Sequence, residues 1–403
     1  MKIIKFFLGR LFSTIHLQFI KFKIFKKINT KCNYTLFSIP KNHIFVGYYD
    51  FNPIDEEDNY LLCNKVDENN QCTVGYFEIN SKNIQFKSIQ NTKCWSWQLG
   101  ARLKWSTKYK KSFYFNYFSK EKKSFQTIRY SINEKKFYFF ENCFFDINYD
   151  EDKKLFLNFD RLEYFRPGYG YKIKIDKQNY LNNPEDDGIF IQDINQKQNK
   201  VKLLISIYEI AELENSSKKN IQHYFNHLSF NPSGNKFLFF DCWIEDKKRR
   251  TKIFISNLDG NYYLIEDLEI ASHYLWLNDI EILIYCKPVN KIVGFYIYNI
   301  NLKTLALQFF MQKNDGHPHL LKKNRVLIDT YADRLSFRKL YFYNIGEKQK
   351  LLIGKFFTSK KFLTGEMKCD LHPRISNTNK LISLDLGKGS FRETIILKNK
   401  NYL

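Results

Sequence analysis

Residues 227–265 read HLSFNPSGNKFLFFDCWIEDKKRRTKIFISNLDGNYYLI. A short apolar start at 227–230 meets a turn, Asn231-Pro232-Ser233-Gly234. Residues 236–243 are a run of aromatic and aliphatic strand formers. Charged residues 245–250 make a hairpin tip, and 251–256 form a third strand. Asp259-Gly260 is a tight turn before a fourth strand at 262–265. Four antiparallel strands in so short a stretch make one blade of a propeller.

The same layout repeats outward in both directions. His227 precedes its long run by nine residues. His273, His317 and His372 precede the runs EILIY, RVLIDTY and KLISLD by eight. Upstream, Asp50 precedes NYLLC by nine and Asp146 precedes KLFLNF by eight, while Gln98 precedes SFYFNYF across a longer turn. The keyed positions Asp50, Gln98, Asp146, His227, His273, His317 and His372 are separated by 48, 48, 81, 46, 44 and 55 residues. Seven keyed positions predict an all-β, seven-bladed β-propeller over residues 32–403. The long interval predicts an insertion at about 164–222, with RPGYGY (166–171) inside it. Closing the ring would pair 394–398 with a strand near 36–39. A two-sheet sandwich with a second domain is the competing architecture, and the regular spacing argues against it.

Composition agrees. The chain has 39 Phe and 27 Tyr among 403 residues, which favours strands. With 16 Gly and 8 Pro, its turns lean on Asn, Asp, Ser and Lys. The eight cysteines are scattered without a C-x-x-C pair, so buried free thiols in a reducing compartment are expected.

The formal charge is +22, and residues 1–49 hold nine Lys/Arg with no Asp or Glu. Residues 1–31 form a basic N-terminal segment. Within it, Ile4, Leu8, Leu11, Ile15, Phe19 and Phe22 fall near helical spacing among lysines. That predicts an interfacial helix at residues 1–28 on an anionic membrane surface. The alternative is a basic strand or helix packed on the domain. No run reaches the length of a transmembrane helix, and no small-residue cleavage site follows. The expected location is cytoplasmic, peripheral at the inner face of the membrane. The sequence contains no zinc-finger spacing, helix-turn-helix or RNA-binding signature, so nucleic acid is not an expected partner.

In a propeller the start of each innermost strand lines one mouth of the central channel. His227, His273, His317 and His372 should therefore converge, with His319 on the same strand as His317. Imidazoles gathered this way suit a divalent transition metal. The alternative is that each histidine makes a structural hydrogen bond across its own blade. Asp315-Gly316-His317-Pro318-His319, the stretch from Asp329 to Arg334, and Cys369-Asp370-Leu371-His372-Pro373-Arg374 are the densest polar motifs. Arg374, Arg338 and Arg334 are candidates to bind a carboxylate or phosphate. Equally, Asp370–Arg374 and Asp329–Arg338 could be ion pairs that pin blades together. Trp95 and Trp97 beside Gln98 and Arg102 offer a sugar-stacking platform or inter-blade packing. Tyr49, Asp50, Arg166 and Tyr331 are placed on the same rim. No P-loop, dinucleotide fingerprint, G-x-S-x-G elbow or Asp-x-Asp motif is present.

DGHPH (315–319), RVLIDTY (325–331), RKLYFYN (338–344) and CDLHPR (369–374), with WSWQLGARLKW (95–105) and NHLSFNPSG (226–234), carry a resemblance. The chain resembles propeller proteins encoded among bacterial surface-polysaccharide genes. These are similar in turn to oligogalacturonate lyases and TolB-like propellers. The resemblance implies a role in surface-glycan biosynthesis or processing. It implies a manganese ion, ahead of zinc or iron, held by histidines and a glutamine. It also implies β-elimination on a uronate-containing glycan or glycolipid. By motif, His273, His317 and His319 would be ligands. The place of the family's glutamine is taken by Asn314, so Gln98 or His372 would supply the missing donor. Arg374, with Arg338 and Asp370, is the catalytic candidate. A glycosyltransferase-like enzyme and a non-catalytic glycan-binding scaffold are the alternatives, because fold alone does not choose among them.

Overall fold

The computed structural model describes residues 29–30, 33–173, 182–194, 200–213, 221–309, 315–321 and 324–398. Its strands form seven antiparallel sheets, six of four strands and one of five. The sheets span 43–92, 104–141, 146–206, 223–264, 268–309, 318–357 and 374–398. They follow one another in chain order as the blades of a seven-bladed propeller. The predicted amphipathic segment, 1–28, and Asn314 lie outside the described residues.

Blade faces pack against blades on both sides. An inner run is therefore apolar throughout rather than alternating. In blade 4, Phe237, Leu238, Phe239 and Phe240 of strand Lys236–Glu245 are all buried. Phe239 stacks on Phe254 of the neighbouring strand Lys248–Asn257 at 5.2 Å. The tip of this hairpin turns through Asp246 and Lys247, both at positive φ. That backbone matches the strand twist, and short polar residues and lysines tolerate it at the surface.

The ring closes with strands from both ends of the chain. Strand Tyr34–Phe37 is the outer strand of blade 7 and pairs antiparallel with Phe391–Lys398, Phe37 opposite Thr394 and Tyr34 opposite Leu397. The expected closure is thus present, with the N-terminal strand two residues earlier than the sequence suggested. A further pair of residues, Asn29–Thr30, adds a fifth strand to blade 6.

The long interval before His227 is not one block. Residues 188–206 supply the third and fourth strands of blade 3, Gly188–Asp193 and Val201–Ser206. Added material instead lies between the second and third strands, where helix α1 (Phe159–Phe165) sits, and after the fourth, where helix α2 (Ile207–Leu213) leads towards blade 4. Interrupting polar residues at 182–187 and 195–200 had hidden the two strands. The seven described cysteines are buried and free. Among the described residues no helix is long and apolar enough to cross a membrane.

Candidate metal centre

Four of the keyed residues meet in the bore of the ring. The rings of His273 and His317 lie 4.1 Å apart, and those of His317 and His372 lie 4.3 Å apart. His227 joins them through Tyr48, whose ring stacks on His227 at 5.0 Å and meets His372 edge-on at 5.0 Å.

Local sequence explains the placement. His317 precedes Pro318, the first residue of inner strand Pro318–Leu321, and His372 precedes Pro373, which leads into inner strand Arg374–Ile375. The inner strand is a sheet edge facing the bore, so a missing N–H costs no ladder bond there. The inner strand of blade 4 bulges between Asn226 and Ser229, and that of blade 5 between Ala271 and Tyr274. Each bulge turns its histidine inward. His227 and His372 also adopt positive φ, 54° and 43°, in the left-handed region. Backbone of this kind is uncommon for such residues and concentrates at functional sites.

Three imidazoles are held by their Nδ1 atoms. His317 Nδ1 donates to Asp329 at 2.9 Å, and His273 Nδ1 donates to Asp315 at 2.9 Å. His372 Nδ1 lies 2.9 Å from the Gly47 carbonyl oxygen. A carbonyl only accepts, so the His372 proton is on Nδ1 and Nε2 carries a lone pair. That Nε2 is buried with no hydrogen-bond partner among the described residues. Anchoring Nδ1 on a carboxylate or carbonyl and baring Nε2 is how proteins orient histidine ligands. Donor atoms of His317, Asp370 and His372 all lie within 4.8 Å of one another, and all three residues are buried. His273 stands beside this cluster and outside it.

Burial and ion pairing set the charge states of the cluster, with Asp370 paired to Arg338 and, at 2.8 Å, to Lys368. Burial holds His317 well below the ordinary histidine range, helped by His273. Burial does the same for His372, helped by His317, and for His227, helped by Arg166. All three are therefore neutral imidazoles near pH 7. Burial pushes the Asp370 carboxyl up, but Arg338 and Lys368 outweigh it and keep Asp370 well below the usual carboxylate range. Burial raises Asp329, with Asp370 adding to the rise, to about 6. Two neutral imidazoles and one carboxylate form a set that Mn²⁺, Zn²⁺ or Fe²⁺ accepts. An orphaned lone pair at the centre of that set fits a metal ion.

A cavity of about 380 Å³ opens above the cluster. Its walls include His227, His273, His317, Asp370, Tyr331 and Arg166. Helix α1 delivers Arg166. Asn158 caps the helix by accepting from the Arg161 N–H, and Pro167 forces Arg166 out of helical geometry. The guanidinium lies 4.0 Å from the Tyr169 ring centre, and its Nε is buried without a hydrogen-bond partner.

The other sequence candidates lie elsewhere. His319 is on the far side of the bore, in a second cavity of about 490 Å³ with Tyr49, Asp50 and Asp146. His317 precedes the strand, so the alternation that should have aligned the two does not hold. Tyr49 crosses the bore: its hydroxyl donates to the Tyr274 carbonyl at 2.8 Å and accepts from the Tyr274 N–H at 3.0 Å. Arg102 is buried, pairs with Asp50 at 2.9 Å and donates to the Phe145 carbonyl. It shares the left-handed backbone of His227 and His372, at φ 57°, so Arg102 is their blade-2 counterpart in backbone conformation. Gln98 lines the histidine cavity, but its Nε2 donates to the carbonyls of Glu366 and Lys368 at 3.0 and 2.7 Å. Trp95 and Trp97 line a separate groove of about 740 Å³.

The arginine pairings also differ from the sequence expectation. Arg338 pairs with Asp370 rather than Asp329, because Asp329 is occupied by His317 and by the His372 N–H. Arg374 pairs with Asp385 rather than Asp370 and donates to the Gly47 and Tyr48 carbonyls. Asp385 takes the Val46 and Gly47 N–H groups. This clamp sets the bend at Gly47 (φ 122°), where a Cβ would lie 2.8 Å from the Leu99 oxygen, and sends Tyr48 into the bore. Arg374 is fully buried and Arg334 is exposed, so neither reaches the cavity. Sequence reasoning missed Asp315 and Asp329 as anchors and Tyr48 as the central ring. Asp315 was visible only as a member of a polar motif, and Asp329 was assigned to Arg338 instead of His317.

Seven antiparallel sheets in chain order decide which solved structures the fold matches. The fold is that of oligogalacturonate lyase. An oligogalacturonate lyase in complex with manganese superimposes with a TM-score of 0.66 at 11% identity, over 92% of this chain and 95% of that one. An oligogalacturonate lyase from Vibrio parahaemolyticus gives 0.65 at 12% identity, with the same coverage. TolB from Acinetobacter baumannii gives 0.38 at 12% identity, over 78% of this chain and 63% of that one. No family model and no curated protein matches the sequence.

Proposed function

We propose that this protein is a metal-dependent, lyase-like propeller that cleaves a uronate-containing glycan by β-elimination. The observation that carries the reading is the unpartnered, buried Nε2 of His372 beside His317 and Asp370. His317, His372 and Asp370 would hold a divalent ion. The lyase neighbour bound to manganese favours that metal. When bound, such an ion supplies a Lewis acid that neutralises the sugar carboxylate and acidifies the C5 proton.

This chain's own groups supply the rest. Arg166, with its buried unpartnered Nε, binds the carboxylate from the cavity wall. His273 takes the C5 proton on Nε2, and Asp315 stabilises the imidazolium that results. Burial, with Asp315 next, raises the Tyr331 hydroxyl, so it stays protonated and donates to the leaving 4-oxygen. The reaction would belong to bacterial surface-glycan metabolism, a reading supported by the motif resemblance alone. The basic segment 1–28 would tether the protein to an anionic inner membrane surface.

Metal analysis and absorbance near 235 nm on oligogalacturonate test the reading. His372→Ala should lose both metal and turnover. His273→Ala should keep the metal and lose turnover by about 10²–10⁴-fold. A wild-type protein that purifies without Mn, Zn or Fe and binds none on addition sinks it.

A further inference from the structure

The groove that holds Trp95 and Trp97 adjoins the histidine cavity, and two short segments separate them. Pro167 and Tyr169 face the cavity, whereas Gly168 and Gly170 face the groove. Gly365 and Lys368 face the cavity, whereas Glu366 and Met367 face the groove. The partition is thus the width of two crossing backbones. Gln98 ties them together: its N–H donates to the Gly168 carbonyl at 2.9 Å, and its amide donates to Glu366 and Lys368. Glu163 braces the first segment by accepting the N–H groups of Gly168 and Gly170 at 2.8 and 3.1 Å.

The groove is chemically unlike the cavity. Trp95 and Trp97 are both partly exposed in it and meet at right angles, 5.0 Å between ring centres. Trp97 is backed by Phe45, stacked at 5.8 Å, and by the Arg392 guanidinium at 5.1 Å. Side-chain amides of Asn70, Gln71 and Asn91 and the ammonium groups of Lys93 and Lys120 also line it, and Lys172 lines it paired with Glu366 at 2.7 Å and Glu163 at 3.4 Å. Rigid indoles bind flat apolar faces at little entropic cost, amides bind hydroxyls, and lysines bind scattered acid groups. A pyranose chain carrying carboxylates presents all three. At about 740 Å³ the groove exceeds the cavity, so it has room for more than the sugar unit that reacts.

We propose that this groove is a second saccharide subsite. It holds the part of an acidic oligosaccharide remote from the reacting bond, with the chain crossing the partition at Gln98. The inference rests on the proposed function for the identity of the substrate, but not on turnover. Longer chains should therefore bind better than short ones, and the indoles should carry the difference.

The probes are digalacturonate and hexagalacturonate, titrated calorimetrically into the full-length, metal-loaded protein carrying His273→Ala, so that neither is consumed, with the 235 nm signal read on the unsubstituted protein. Hexagalacturonate should bind about tenfold tighter than digalacturonate, the factor that ~1.4 kcal/mol represents. It alone should change tryptophan fluorescence. Trp95→Ala and Lys93→Ala should each reduce the length advantage while leaving digalacturonate affinity unchanged. Trp95→Phe should restore part of it. Lys93 is exposed in the groove, so its variant keeps the test open if Trp95→Ala misfolds. Equal affinity for the two probes, or an advantage that survives both substitutions, overturns the subsite. Length-dependent binding without a 235 nm signal supports the subsite and defeats the elimination. A 235 nm signal with no length dependence does the reverse.

Discussion

Asp329 touches no substrate-accessible surface, yet it organises the centre. One carboxylate accepts from the His317 ring, the His317 N–H and the His372 N–H. Asp329→Asn keeps the shape but makes a weaker acceptor, and the His317 ring loses its fixed tautomer. Metal affinity should fall about 10–100-fold, the usual consequence of losing such a partner. Competition with a chelator of known affinity measures it, and an unchanged constant would show that His317 is oriented by packing alone. At this scale the sequence was only partly legible. Spacing revealed that His227, His273, His317 and His372 converge. It did not reveal which carboxylate meets which cation. Arg338 and Asp370 are far apart along the chain and pair only because blades 6 and 7 are neighbours.

The elements that shape the cavity are the two segments of the partition. Gly168 has φ 91°, and a Cβ there would lie 3.1 Å from the Glu366 carbonyl oxygen. Gly346 also has positive φ, 85°, but nothing lies within 4 Å of its Cβ position. Gly168→Ala and Gly346→Ala both carry backbone strain of roughly 1–3 kcal/mol. The first should carry the crowding of Glu366 in addition. Thermal unfolding of both variants gives the comparison, and equal losses would mean the segments are not in firm contact. The hairpins themselves were legible from runs such as KFLFF, because a strand buried on both faces is apolar throughout. The bulges of blades 4 and 5 were not legible. His319 was mislocated for another reason: His317 lies just before strand Pro318–Leu321, so strand alternation does not relate the two.

For the whole molecule, the closure of the ring is the feature to test. Blade 7 takes its outer strand, Tyr34–Phe37, from the other end of the chain. Removing residues 1–28 should release the protein from phosphatidylserine vesicles and leave its unfolding transition in place. Removing residues 1–38 should also expose the edge of Phe391–Lys398, lower the transition and promote association through that edge. Sedimentation and calorimetry of the two truncations separate these outcomes. If 1–28 can be deleted without loss of vesicle binding, the tether is refuted. Seven-fold architecture was the most legible property of all, because each blade restates the same register. The non-repeating part, around helix α1, supplies Arg166 and half of the partition. Repeats do not predict what interrupts them.

Tyr49 bridges from blade 1 to the Tyr274 backbone, and Tyr48 fills the space among the histidines. The two rings stopper the axial tunnel between its ends. A polymer cannot thread through such a ring, so whatever enters on the histidine side must back out by the same door.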